Sequence, residues 1–116
     1  MSIYRHILVA LDGSADSMTA LRHAVTLARD QNAKLTLMTV VPHTPTPVGP
    51  GVAPPPETDE SHNQIIKEAL ADIPHDVGVT TRLEHGEIAE TILKLTATES
   101  YDLLVMGSHG HSRVHR

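Results

Sequence analysis

The chain has 116 residues, of which 40% are hydrophobic and 20% charged, and it contains no cysteine. These values predict one soluble domain and exclude thiol catalysis, disulfides and Cys-ligated zinc. A net charge of −5, with two Tyr and no Trp or Phe, argues against nucleic-acid binding, which needs a basic face and aromatic stacking. No uncharged apolar run approaches the roughly 18 residues of a membrane span. Because the N-terminus also lacks a signal-peptide pattern, we expect a cytoplasmic protein that binds no membrane.

The first three predicted elements follow the order strand, helix, strand. Residues 7–11 form an unbroken apolar run that ends at a turn, which is typical of a strand buried on both faces. A helix begins after Ser14 or Asp16 as its N-cap and extends to about Asp30, and its apolar stripe includes Met18, Leu21, Val25 and Ala28. Residues 35–41 form a second buried strand, which Pro42 closes.

A proline-rich segment separates these elements from the second half of the chain. Residues 42–56 hold seven of the eight prolines, which excludes a regular helix or a strand interior. We therefore predict a long flexible loop at 42–56 inside a single domain of residues 1–116. After the loop, a second helix ends before Pro74, and its apolar residues are Ile65, Ile66, Ala69, Leu70 and Ile73.

The second half continues the alternation of strand and helix. Residues 77–83 alternate apolar and polar side chains, which predicts a half-exposed edge strand that ends at Gly86. A third helix follows, with one apolar face formed by Ile88, Ala89, Ile92, Leu93 and Thr96. Residues 103–106 form a fourth buried strand. This order predicts an α/β fold with a mostly parallel sheet and helices on both faces, and such sheets bind ligands at the carboxyl ends of their strands.

The turns at those carboxyl ends carry the candidate chemistry. Gly107 and Gly110 follow a strand, so their N–H groups either cradle a phosphate or only make a tight turn. Asp12 is placed either to bond a ribose or hold a cation, or to cap the turn into the first helix. Ser14 is better explained as an N-cap than as a nucleophile, because G-x-S-x-G is absent. The dinucleotide fingerprint and the P-loop are absent as well.

Histidines are numerous, but their spacing does not indicate a metal site. His109, His111 and His115 stand near Arg113, and no regular element would align the three imidazoles on one ion. We therefore expect no metal site. The other histidines are scattered, and we predict surface positions for all of them: His6, His23, His43, His62, His75 and His85.

Several of these segments together resemble the universal stress protein family. They are residues 7–14, residues 35–41, Gly86 before a helix, and residues 102–110, of which the stretch from Met106 to Gly110 is the most specific. The resemblance runs from end to end of the chain. It implies a Rossmann-like domain with strand order 3-2-1-4-5, in which ATP lies across the carboxyl ends of the first and fourth strands. It also implies a homodimer.

The resemblance assigns site residues by position in this chain. Ala10, Leu11 and Asp12 would lie beside adenine and ribose, the main chain of Val41 would read the adenine edge, and Gly86 would line the same part of the site. The residues around ribose and phosphate would be Met106, Gly107, His109 and Gly110. The family motif G-x2-G-x9-G-[ST] would resume ten residues after Gly110, past Arg116. We therefore expect a sheet of order 3-2-1-4, with the fifth strand, the distal phosphate site and the usual dimer contact missing.

The function implied is a cytoplasmic stress-response module that binds ATP, ADP or AMP, with or without Mg²⁺, as a sensor or regulator. No paired acid and base is visible, so at most slow ATP hydrolysis is expected. Two alternatives remain open. One is a module that binds no nucleotide and acts through oligomerisation and protein partners. The other is an enzyme of the wider adenine-nucleotide α-hydrolase-like group, which would need a catalytic base or partner domain.

Overall fold

Four strands and three helices alternate along the chain in the computed structural model, which describes residues 4–42 and 58–107. The elements are β1 (His6–Ala10), α1 (Ala15–Gln31), β2 (Lys34–Val41), α2 (Asp59–Ala71), β3 (Val79–His85), α3 (Ile88–Thr98) and β4 (Leu103–Met106). The sheet has the order β3-β2-β1-β4, and every adjacent pair is parallel. The predicted α/β class and the strand order 3-2-1-4 are confirmed. His109, Gly110 and residues 43–56 of the predicted loop lie outside the described residues.

The two central strands are buried on both faces, as their unbroken apolar sequences predict. Ile7 and Val9 of β1 pack in one cluster with α1 and α2, whereas Leu8 faces α3 on the other side of the sheet. Successive side chains of a strand point to opposite faces, so an entirely apolar strand needs helices on both sides. The chain supplies them by crossing over the sheet between parallel strands.

Local sequence sets the starts of the first two helices. Ser14 is the N-cap of α1, and its Oγ accepts a hydrogen bond from the N–H of Ser17 at 3.1 Å. The predicted capping role of Ser14 is thus confirmed. Thr58 and Ser61 form a reciprocal capping box at the start of α2. Asn32 ends α1 in the left-handed conformation, with φ of 56°.

The predicted apolar face of α3 is wrong in part. Ile92 and Leu95 are buried against Leu8 and Met38, but the side chains of Ile88 and Leu93 are 48% and 68% exposed. Ala89 and Thr96 are exposed as well. Ile92 and Leu95 are three residues apart and so share one side of the helix, while Leu93 lies about 100° round from Ile92. Of α3, only the stripe formed by Ile92 and Leu95 packs closely against the sheet.

Both outer strands differ from the central ones. Among the described residues β3 pairs with β2 alone, and it is half-exposed, as its alternating sequence predicts, although it begins at Val79 rather than at residue 77. In the described ranges β4 pairs with β1 alone, and it is partly rather than fully buried, contrary to the prediction of a buried strand. None of the described helices is long and apolar enough to cross a membrane.

Candidate functional site

The candidate site lies at the carboxyl ends of β1 and β4, where a sheet of this topology is expected to form its ligand-binding crevice. From β1 the chain crosses to β2 on one side, and it later returns to place β4 on the other side, so the strand order reverses between β1 and β4. Ala10 and Met106 are register partners at this end of the two strands. The side chain of Met106 is 50% exposed. Open α/β sheets bind their ligands at such a reversal, and two of the predicted site residues lie side by side there.

Asp12 lies in the turn that leaves β1 for this crevice. Its Oδ1 accepts a hydrogen bond from the N–H of Ser14 at 2.9 Å, which fixes the turn into α1. The capping role considered for Asp12 is therefore present in the structure. Its side chain is exposed at the mouth of the crevice. Leu11, by contrast, has its side chain in the core and donates its N–H to the carbonyl of Met38 at 2.8 Å.

Gly107 follows β4 and lies against the first turn of α1. A Cβ at this position would come 2.7 Å from the carbonyl carbon of Asp16 and 2.7 Å from the nitrogen of Ser17, both in the first turn of α1. Backbone therefore packs directly on backbone at the end of β4. Glycine is required here by packing alone, whether or not a phosphate binds.

Val41 and Gly86 are joined at the carboxyl ends of β2 and β3. The N–H of Gly86 donates to the carbonyl of Val41 at 3.0 Å. Gly86 has a φ of +136°, a conformation that side chains disfavour. The carbonyl oxygen of Val41 has two lone pairs, so this bond alone does not saturate it as an acceptor. The structure thus brings these two predicted residues together, with Val41 on the strand next to β1 and Gly86 one strand further out.

A contact that the sequence did not reveal lies at the same edge. Nε2 of His85, the last residue of β3, is 2.7 Å from Oδ1 of Asp59 in the first turn of α2. His85 is exposed, as predicted, but its pairing was not foreseen. The predicted topology could have indicated this contact, because the helices of a parallel sheet begin at the edge where its strands end.

His62 is buried, so its predicted surface position is wrong. Its side chain is 5% exposed, and its Nδ1 lies 2.6 Å from Oγ1 of Thr39 on β2. One turn further along α2, the side chain of Ile65 lies beside Gly13 in the turn after β1. A buried imidazole is tolerated when a polar partner satisfies it, and Thr39 provides that partner. Together these contacts hold α2 against β2 and against the turn that follows β1.

Among the described residues, Arg82 on β3 and Asp102 just before β4 have shifted pKa values. The side-chain hydrogen bond from Arg82 to Glu84, at 2.9 Å, raises the pKa of Arg82, although desolvation opposes it. At the opposite end of the sheet, the N–H groups of Arg5 and His6 donate to Oδ2 of Asp102 at 2.8 and 3.0 Å. These bonds lower the pKa of the Asp102 carboxyl. Neither residue lies at the carboxyl ends of β1 and β4.

The arrangement combines hydrogen-bonding groups with a small apolar wall. Asp12 can accept hydrogen bonds from hydroxyl groups, and the Ala10 and Met106 side chains offer an apolar contact next to it. The described residues contain no cluster of three or more His, Asp or Glu able to hold a metal ion. An apolar wall with a few polar groups is typical of sites that bind small molecules. The predicted residues His109 and Gly110 lie outside the described part of the chain.

Fold and crevice together define a Rossmann-like α/β domain. The model of the universal stress protein family matches residues 3–116. The chain is 32% identical over 120 residues to universal stress protein D of Escherichia coli K12, which covers 97% of this chain and 82% of that protein. The chain therefore belongs to the universal stress protein family, whose members are stress-response proteins.

Solved structures of the family share the fold. A universal stress protein from Burkholderia pseudomallei is 31% identical, with a TM-score of 0.72 over 94% of this chain and 85% of that one. A universal stress protein solved in complex with cAMP is 24% identical, with a TM-score of 0.66 over 87% of this chain and 70% of that one. The second likeness shows the fold alone.

Proposed function

We propose that this protein binds an adenine nucleotide in the crevice between β1 and β4, and that it acts in the cytoplasm as a stress sensor or regulator. The observation that carries the proposal is the meeting of Ala10 and Met106 at the point where the strand order reverses. The cAMP complex of a protein with the same fold supports it. Efficient turnover is not part of the proposal, because the sequence shows no paired general acid and base.

In this proposal each described residue has a defined role. The carboxylate of Asp12 accepts hydrogen bonds from the ribose hydroxyls, and the Val41 main chain contacts the adenine edge. Ala10 and Met106 pack against the nucleoside. Gly107 lets β4 approach α1 closely enough to form one wall of the crevice. The proposed ligand is ATP, ADP or AMP, and any Mg²⁺ would be bound to its phosphates.

A second candidate function is oligomerisation without a nucleotide. It is favoured by β4, which pairs with β1 alone in the described ranges, and by the large exposed side chain of Leu93. An unpaired apolar edge strand is a template for pairing with another chain. A homo-oligomer is compatible with nucleotide binding, so the two proposals differ in whether a ligand is present at all.

The experiment is mass spectrometry of the small molecules released from freshly purified protein by denaturation, followed by equilibrium titration with adenosine and adenine nucleotides. The nucleotide proposal expects an adenine compound in stoichiometric amount, or saturable binding to the emptied protein. Protein that neither releases nor binds an adenine compound would contradict it and leave oligomerisation as the function. Release of an adenylylated product would instead indicate an enzyme.

A further inference from the structure

Met106 has the most exposed thioether among the methionines of the described residues. The chain has four methionines, and Met1 lies outside those residues. Met38 is fully buried in β2, and Met18 of α1 is partly buried against the core. The side chain of Met106, by contrast, is 50% exposed. A small water-soluble oxidant can therefore reach the sulfur of Met106 more easily than that of Met18 or Met38.

The main chain around Met106 is held on both sides, so the exposed thioether lies on a fixed strand. Met106 pairs with Ala10 of β1, and the next residue, Gly107, packs directly on the first turn of α1. Leu104, two residues earlier and on the same face of β4, packs in the cluster with Leu8. The apolar layer on this face of the sheet thus continues from the core to the surface at Met106, where the proposed nucleoside contact lies.

A methionine thioether reacts with hydrogen peroxide by direct transfer of one oxygen atom. A lone pair of the sulfur attacks one peroxide oxygen, the O–O bond breaks as the S–O bond forms, and the other oxygen leaves as water after proton transfer. The sulfur is oxidised by two electrons, and the peroxide is reduced. The product, methionine sulfoxide, is polar where the thioether was apolar, and methionine sulfoxide reductases restore the thioether.

We propose that Met106 is a site of reversible oxidation by peroxides, and that its sulfoxide weakens nucleotide binding. The second part rests on the proposed function, in which the side chains of Ala10 and Met106 pack against the nucleoside. A sulfoxide binds water more strongly than a thioether does, so covering it with a nucleoside costs the desolvation of a polar group. Because half of the Met106 side chain is already exposed, its oxidation should change the affinity for nucleotide and leave the fold intact.

The first experiment measures which methionine is oxidised. The chain is treated with hydrogen peroxide in dilute solution, so that association between copies does not cover Met106, and its peptides are then analysed by mass spectrometry for the added oxygen. We expect Met106 to gain oxygen several-fold faster than Met18 and Met38. Saturating adenosine should slow the oxidation of Met106 and leave that of Met18 unchanged. Equal or faster oxidation of Met18 or Met38 in the folded chain would overturn Met106 as the modification site.

The second experiment measures the effect of the sulfoxide on binding. Adenosine is titrated into untreated protein, into peroxide-treated protein, and into treated protein that methionine sulfoxide reductases have repaired. The oxidised protein should bind adenosine at least about threefold more weakly, because a polar group replaces an apolar contact, and repair should restore the affinity. Circular dichroism checks that the oxidised protein remains folded.

Two matched variants assign the effect to one sulfur atom. Met106→Leu cannot form a sulfoxide at this position, so its affinity, whatever the untreated value, should not change with peroxide. Met18→Leu removes a methionine that packs against the core, outside the proposed site, and it should keep the full response to peroxide. A response that persists in Met106→Leu would overturn the proposed effect on binding.

The inference and the proposed function can fail separately. If adenosine does not bind the untreated chain, the proposed function and the effect on affinity fail together, while the peptide masses still decide whether Met106 is the modification site. If adenosine binds equally well before and after Met106 is oxidised, the proposed function is retained and the inference is overturned.

Discussion

Gly107 packs on the main chain of Asp16, so that the end of β4 and the first turn of α1 touch without an intervening side chain. The side chain of alanine would have to occupy space 2.7 Å from backbone atoms that cannot rotate away. We expect Gly107→Ala to lower the free energy of unfolding by about 1–3 kcal/mol, the usual cost of overpacking. Urea denaturation followed by circular dichroism measures the change.

Gly78→Ala is the matched control for this substitution. A Cβ at Gly78 would lie 3.7 Å from Cγ of Lys34, an ordinary contact with a flexible side chain. The unfolding free energy of this variant should stay within about 0.5 kcal/mol of the wild type. If Gly107→Ala is as stable as Gly78→Ala, the close approach of β4 to α1 is refuted.

The buried pair of His62 and Thr39 predicts a second effect on stability. Thr39→Val keeps the shape of the side chain but removes the hydroxyl that lies 2.6 Å from Nδ1 of His62. Burying a polar atom without its partner costs about 1–3 kcal/mol, and we expect the unfolding free energy to fall by that amount. Thr81→Val, on exposed β3, should change it by less than about 0.5 kcal/mol.

A double variant separates this cost from a packing defect. His62→Leu combined with Thr39→Val removes both polar groups, and it should recover part of the stability lost by Thr39→Val alone. Additive losses in the double variant would show that the two side chains do not interact.

Asp102 predicts a loss of stability in acid. Its pKa is lower in the folded chain because the N–H groups of Arg5 and His6 bond the carboxylate, so folding favours the ionised form. The ionised Asp102 carboxylate stabilises the folded chain fully at pH values above its pKa in the unfolded chain, which is near 3.8. This stabilisation is lost as the pH falls through the lower pKa of the folded chain. The stability advantage of wild type over Asp102→Asn should therefore shrink below about pH 4. Urea denaturation between pH 7 and pH 2.5 measures it, and a constant difference would contradict the assignment.

The sequence predicted the sheet better than it predicted the helix faces. The unbroken apolar residues of β1 and β2 indicate strands covered on both sides, and Ser14 correctly marks the start of α1. The residue pattern predicts a parallel sheet, while the order of its strands came from the family resemblance. The buried strands and the helix start depend on residues that are close together in the chain, which is why the sequence predicts them.

Whether a helix side chain is buried depends instead on which other element that face of the helix packs against. Leu93 is apolar yet exposed, because α3 presents only the stripe of Ile92 and Leu95 to the sheet. His62 is polar yet buried, because α2 brings it onto Thr39, a residue 23 positions earlier in the chain. The close approach at Gly107 likewise joins residues distant in sequence. Such contacts follow from the packing of elements, which a single sequence does not specify.

We predict self-association through β4. In the described ranges β4 pairs with β1 alone, and Met106 at its end is half-exposed. We expect sedimentation velocity to show association that increases with protein concentration. Met106→Lys should weaken it, since a lysine blocks pairing at an edge strand. Leu70→Lys, at an exposed apolar position of α2, should not. A monomer at all concentrations would contradict this use of the β4 edge.

The most direct test of the nucleotide site is calorimetric titration of adenosine into wild type, Asp12→Ala and Asp30→Ala. Asp30 is an exposed carboxylate near the opposite end of α1, so its variant controls for the loss of a charge. A hydrogen bond to a charged group contributes about 1.5–3 kcal/mol, so Asp12→Ala should bind about 10- to 100-fold more weakly while remaining folded. Asp30→Ala should match the wild type. A wild-type chain that binds no adenosine, or a folded Asp12→Ala variant with unchanged affinity, would contradict the account.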